Sequence, residues 1–219
     1  MKKYLKVFVL FAAIIMAGVD ADAQYDPAKH FGVRASLDLS TSTTQTKVSK
    51  FGPGAGLGLW YYVPTSNLVY FDFGIGVSYD TFKLDGDISE RFNNRYIKGH
   101  VEYPGLQLGI NCGLKILKAK YLMLSAYTGP QAYFTFLTQG KYDIIRPTYV
   151  EHVDKKLCDS GLNLGWTLGV ALDLSCKLHF HVEGVFGLSN TFRSEEIIIG
   201  QASHFKRAQI NIGIGYNFF

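Results

Sequence analysis

His179, His181 and Glu183 recur at every second position, and His100 stands two residues before Glu102. Residues two apart share one face of an extended chain. Two imidazoles and a carboxylate on one face are the donor types that bind a metal. Placed inside a narrow barrel, the same groups pair with one another, and that hydrogen-bonded network is the reading adopted here, with no metal. His100 and Glu102 are also expected to point inward, but near the opposite end, so the two groups do not form one cluster. Ser203 and His204 offer a nucleophile and a base, which must lie within hydrogen-bond reach to work together. Neighbours on a strand point opposite ways, so no catalytic residue is assigned. The glycines of GPGAGLGLW invite a phosphate-loop reading. They alternate along a strand with no helix following, which excludes it. No cofactor is expected.

The elements that position these residues are strands. The segment RAQINIGIGYNFF puts Ala208, Ile210, Ile212, Ile214, Tyr216 and Phe218 on one face. Gln209, Asn211, Gly213, Gly215 and Asn217 fall on the other. Seven earlier segments alternate with the same period of two. They run at about 31–39, 54–63, 68–82, 95–116, 121–137, 162–174 and 177–190. In the fourth, Ile97, Val101 and Tyr103 share a phase with the outward face. The phase then slips at Pro104-Gly105 before Leu106, Leu108 and Ile110, which suggests a bulge. Short turns at Pro64–Asn67, Lys118–Lys120 and Ser175–Lys177 alternate with longer loops near 40–53, 85–94, 138–161 and 193–204. The pattern predicts an all-β fold, a closed antiparallel eight-stranded transmembrane β-barrel, with the last strand sealing against the first. The loop 138–161 is long enough for a hairpin extension.

Alternation alone does not say which face is inside. The polar face of the sixth segment is Asn163, Gly165, Thr167, Gly169, Ala171 and Asp173. A solvated face gains nothing from glycine, whereas in a narrow lumen small residues leave room for large polar ones opposite. The apolar face therefore meets lipid, and the lumen holds a structural charge network of Arg34, Asp72, Lys115, Asp173 and Glu183. Arg34 is placed between Asp72 and Glu183, because a guanidinium can bond two carboxylates. Such a filled lumen disfavours conduction.

Residues 1–23 read as a cleaved signal peptide. A basic start, MKKYLK, precedes the apolar run VFVLFAAIIMAGV and an A-x-A site at Ala21–Ala23. The run is shorter than the ~20 residues of a spanning helix. The barrel domain is then 24–219, and its expected location is the bacterial outer membrane. Charged residues are 18% of the chain, against ~25% in soluble domains. The net charge of +4 is dispersed and gives no nucleic-acid footprint. Lys47, Lys50, Arg193, Lys206 and Arg207 are either loop charges or contacts for lipopolysaccharide phosphates. Cys112, Cys158 and Cys176 are odd in number, so one at least has no partner within the chain, and no structural disulfide is expected.

The order and texture of FGVRASLDLS, HVEYPGLQLGI, YLMLSAYTGPQAYF, LGWTLGVALDL, FHVEGVFGLSN and INIGIGYNFF resemble the PorT-like family of small outer-membrane β-barrels. HVEYPGLQL is similar to that family's E-x-P-L strand, and YTGP to its aGp stretch. The chain departs from the usual barrel terminus, since its apolar series ends at Phe218 and not at Phe219. The resemblance implies an outer-membrane location and a small barrel fold, and some members support protein secretion. A monomer surrounded by outer-membrane lipid and lipopolysaccharide is expected. The functional expectation is a non-enzymatic barrel with a structural or protein-contact role, with envelope or secretion proteins as partners. A lipid-modifying barrel enzyme and a narrow solute pore are the alternatives. N-terminal sequencing of protein recovered from outer-membrane fractions should begin at Gln24. An uncut Met1 would remove the signal-peptide reading.

Overall fold

The computed structural model describes residues 27–43, 48–87, 95–158, 161–189, 192–194 and 203–218. The expected signal peptide lies outside these residues. The described chain is built of strands: β1 (His30–Thr43), β2 (Ser49–Pro64), β3 (Val69–Asp87), β4 (Tyr96–Lys118), β5 (Leu122–Thr135), β6 (Thr138–Ile145), β7 (Val150–Cys158), β8 (Gly161–Leu174), β9 (Leu178–Gly187), β10 (Phe192–Ser194) and β11 (Ser203–Asn217). Eight of them close a ring by antiparallel pairing, in the order β1, β2, β3, β4, β5, β8, β9, β11 and back to β1. The closing pair runs without a slip from Gly32 opposite Asn217 to Thr43 opposite Lys206. Phe218 N–H extends it by donating to Phe31 O at 2.8 Å.

The ring has one end with short turns and one with long connections. At the short-turn end, Thr65 and Ser66 N–H both bond Val69 O at 3.1 Å, and Ala119 N–H bonds Leu122 O at 2.8 Å. The β8–β9 turn places Lys177 at φ 69°, a left-handed conformation that is uncommon outside glycine. Its ammonium reaches Phe218 O at 3.2 Å, so this turn also holds the end of the closing strand.

Alternation assigns the two faces. Leu57, Leu59, Ile75, Val77, Ile110, Leu114, Leu164, Leu168, Val170, Val182, Ile212 and Ile214 all point outward and are exposed. Their polar neighbours in sequence point inward. Soluble monomers expose apolar patches of only ~300–600 Å². A continuous apolar belt around the whole ring is a lipid-facing surface, and backbone closure removes every free polar edge from it. No helix among the described residues is long and apolar enough to cross a membrane. Aromatic residues lie at both margins. Phe31 stacks on Tyr61 at 4.4 Å near the short turns, while Tyr79, Phe134 and Phe136 are exposed toward the other end.

The expected bulge at Pro104-Gly105 is absent. β4 pairs with β3 in unbroken register from Tyr96 to Leu114, with Pro104 opposite Tyr79 and Gly105 opposite Ser78. Odd-numbered residues of β4 face inward from Ile97 to Lys115. Ile97, Val101 and Tyr103 therefore point inward, not outward, and His100 and Glu102 lie on the outer face. The strand does not slip; its surroundings invert. Beyond the belt the strands leave lipid, and the apolar side chains move inside. Val48, Phe82, Leu84, Ile97, Val101, Tyr103, Tyr133 and Tyr142 form a buried core there, with Ile144, Val153 and Leu157 against it. Among the described residues, register slips lie between Phe51 and Ala55 on β2, between Lys115 and Leu117 on β4, and between Thr138 and Gln139 on β6.

The described parts of the expected long loops are largely strand. β3 and β4 continue together to Asp87 and Tyr96. Segment 138–158 is a hairpin, β6–β7, in which β6 takes over from β5 as the partner of upper β4. Short β10 pairs with the start of β11.

Leu168→Arg should cost about 2–4 kcal/mol if Leu168 lies near the bilayer midplane. Lys98→Ala, on the polar exterior of the extension, should stay within about 0.5 kcal/mol. Reversible urea unfolding in lipid vesicles measures both. Equal tolerance of the two substitutions would contradict the face assignment.

Candidate functional site in the barrel lumen

The inward residues of all eight ring strands meet in the lumen, where they form layers. Glycine makes this possible. A β-carbon on Gly169 would lie 2.5 Å from Cζ of the Tyr127 ring, and one on Gly215 would enter the Trp60 ring. Each aromatic side chain lies across a position that only glycine leaves open.

The layer nearest the short turns is aromatic and charged. His179 Nδ1 and Asp173 Oδ1 are 2.8 Å apart, and Asn217 donates to the same oxygen at 3.4 Å. Trp60 packs on His179, His30 on Tyr62, and Tyr62 on Tyr70, each with ring centroids 4.8 Å apart. Lys115 donates to Ser66 O at 3.0 Å, which ties the lumen to the β2–β3 turn. Tyr70 OH donates to Ser125 Oγ at 3.0 Å.

The middle layer holds Arg34, whose Nη1 is 3.8 Å from Asp72 Oδ2. Glu183 accepts Tyr127 OH at 2.9 Å and Asn211 Nδ2 at 2.7 Å. Arg34 and Glu183 line one cavity of about 40 Å³, together with Gln107, Asn111, Thr167 and His181. A volume near 40 Å³ admits about three waters. The five sequence-predicted residues are thus divided between two layers. Arg34, Asp72 and Glu183 share the middle. Asp173 and Lys115 lie lower, with partners of their own in His179 and Ser66.

The upper layer is the most densely bonded, and the sequence reading did not assign it. Asp80 Oδ2 accepts Arg207 Nη2 at 3.0 Å and Ser78 Oγ at 2.7 Å. Its Oδ1 accepts Ser40 Oγ at 3.0 Å and Gln209 Nε2 at 3.2 Å. Arg207 stacks on the Tyr133 ring with Cζ 3.9 Å from its centroid, and Tyr133 OH donates to Tyr103 O at 2.6 Å. The pair is sealed, with side-chain exposures of 3% for Arg207 and 0% for Asp80. Arg207 is therefore not a loop charge available to lipopolysaccharide. The signal was present: Arg207 shares the phase of Gln209 and Asn211, one step before the apolar alternation begins.

On the outer face of the extension, charges pair along and across strands. Glu102 meets His100 of its own strand at 2.9 Å and Lys141 of β6 at 3.3 Å. Partial burial alone would raise its pKa, but bonds from His100, Tyr79 and Lys141 hold it below the ordinary carboxylate value. Asp85 is likewise held low, by its bonds from Lys50 and Tyr96. His152 Nδ1 lies 2.6 Å from Asp143, and Gln139 donates to Asp154 at 2.7 Å. Lys50 is thus engaged by Asp85, while Lys206 is exposed. Lys47 and the side chains of Arg193, Ser203, His204 and Cys158 lie outside the described residues. Cys112 and Cys176 are free and exposed.

No protein-family model and no curated protein matches the sequence. The PorT-like resemblance rests on its motifs alone. Among solved structures, the chain is similar to Ail, the attachment invasion locus protein of Yersinia pestis, at 13% identity and TM-score 0.39 over 88% of this chain and 100% of that one. It is similar to Neisserial surface protein A at 11% and 0.43, over 88% and 100%. OprG of Pseudomonas aeruginosa gives 10% and 0.47, over 90% and 99%. These are small outer-membrane β-barrel proteins. At such identities the fold assignment stands on this chain's own strand closure.

Asp80→Ala leaves the Arg207 guanidinium buried and unpaired, and should cost about 3–5 kcal/mol. Asp80→Ala/Arg207→Met should recover part of that loss. Unfolding midpoints in lipid provide the comparison. A double variant less stable than the single would show that the pair is not the reason.

Proposed function

We propose that this protein is an outer-membrane barrel with a closed lumen that serves as a rigid platform for the β-extension beyond the membrane. It acts through protein or envelope contacts, not through catalysis or conduction. The observation that carries this reading is the sequence of closures along the axis. Aromatic stacking, the Arg34–Asp72 pair, the Asp80–Arg207 pair and the apolar core of the extension follow one another, with a cavity of about 40 Å³ in the middle layer.

The extension supports the same reading. β3, β4, β6 and β7 project a paired sheet with its own core, and cross-strand ion pairs cover its outer face. That is a shaped surface suited to contact. The secretion or envelope-assembly role implied by the PorT-like resemblance would be exercised there, and any partner would meet this face before the barrel wall.

Planar-bilayer recordings of the purified protein should show no large, stable conductance. A strain lacking the gene should alter its secreted or surface proteins while its envelope lipids stay unchanged. Removal of residues 139–157, rejoining Thr138 to Cys158, should reproduce the deletion phenotype with the barrel still folded. A changed lipid composition would favour the enzyme alternative, and an open channel the pore.

A further inference from the structure

The two strands that close the ring carry buried oxygen atoms that are short of donors. Asp38 on β1 is 2% exposed, and the donor its carboxylate meets is the Ser36 hydroxyl of the same strand face. Asn211 stands opposite it across the β1–β11 seam, and Gln209 stands opposite Ser40. Asn211 uses its amide NH₂ on Glu183 at 2.7 Å, and Gln209 uses its own on Asp80 at 3.2 Å. Turning either amide over would set its oxygen against a carboxylate, so both orientations are determined by those partners. Asn211 Oδ1 and Gln209 Oε1 are left buried and without a donor.

Space and charge converge on the same place. A β-carbon on Gly56 would lie 2.8 Å from Ser36 Oγ and 3.4 Å from Asp38 Oδ2, so the glycine leaves room beside both. Ser36, Gly56 and Asn211 also line the central cavity of about 40 Å³. Two carboxylates, Asp38 and Asp80, face the single guanidinium of Arg207, which is ion-paired to Asp80 at 3.0 Å. Glu183, the next carboxylate below, faces a different cation, Arg34. At the seam itself Asp38 and Asp80 therefore outnumber Arg207 by one charge, and a buried carboxylate without a counter-charge is strongly disfavoured.

We propose that this pocket binds one monovalent alkali cation. Its ligands are the Asp38 carboxylate, the side-chain oxygens of Asn211 and Gln209, the Ser36 hydroxyl and waters of the central cavity. The donor set is all oxygen, as hard cations require. One positive charge balances the one excess carboxylate. Among the described residues, no group of three His, Cys, Asp or Glu side chains is placed to hold a transition metal. The occupied pocket joins the first and last strands of the ring at mid-lumen.

Two other occupants are distinguishable. A water could link Asp38 to Arg207 Nε, a buried donor that also lacks a partner. A proton on Asp38 would serve as well. Neither depends on which salt is present. The detergent-solubilised protein should therefore be melted at mildly alkaline pH and matched ionic strength in sodium, rubidium and tetramethylammonium chloride. The alkali salts should raise Tm by about 3–6 °C over tetramethylammonium, the shift that tenfold saturation of one site gives a domain of this size. Asp38→Asn should abolish that difference. Crystals of the wild-type protein grown in rubidium chloride should show an anomalous peak between Asp38 and Asn211, a readout that needs no variant to fold. Equal Tm in all three salts, a difference retained in Asp38→Asn, or no rubidium peak would each overturn the proposal.

Discussion

A barrel in lipid can leave no polar side chain unpaired on its belt, where Trp166 and Thr128 bond each other, so nearly every polar group it carries must be satisfied within one narrow lumen. The rest of this structure follows from that constraint. Eight strands bring far more polar side chains inside than one layer can satisfy. They separate by height into groups that nearly close on themselves: His179 with Asp173, Arg34 with Asp72, and Asp80 with Arg207, Ser40, Ser78 and Gln209. Stacked rings over glycines fill the space between the charges. Closure of the lumen is thus a by-product of satisfying hydrogen bonds away from water.

The same constraint explains why β4 keeps one geometry while its chemistry reverses. Below Gly105 the strand turns Leu106, Leu108 and Ile110 to lipid and Gln107 and Asn111 to the lumen. Above it, Val101 and Tyr103 go inside and Glu102 goes out. One continuous ladder serves as a membrane wall in its first environment and as an aqueous β-sheet in its second. The medium outside the strand decides which face is apolar, and the backbone is indifferent to the change.

Much of this was legible in the sequence. The period-two alternation located all eight ring strands, and the glycine-rich polar faces identified the lumen. Individual partners were less legible. Glu183 shares its layer with Arg34, but its bonds go to Tyr127 and Asn211, because stagger between strands moves partners by several residues. The Asp80–Arg207 pair is harder to read, because Arg207 borders a loop just outside the apolar alternation that starts at Ala208. The change of phase in β4 has two causes that look alike in sequence, a bulge and a change of medium. Only the register against β3 separates them.

The Asp80–Arg207 contact joins residues 127 apart in the chain, and β11 supplies both Arg207 and Gln209. Long-range contacts of this kind form late, because the chain between them must be ordered first. Until the last strand docks, Asp80 has no cation, and β1 has an open edge. An assembly intermediate lacking β11 is therefore penalised twice, once at its backbone and once in its lumen. Docking of the final strand relieves both defects in a single step, so the half-built wall is held apart from the finished one by an energetic gap that makes ring closure a checkpoint for correct biogenesis.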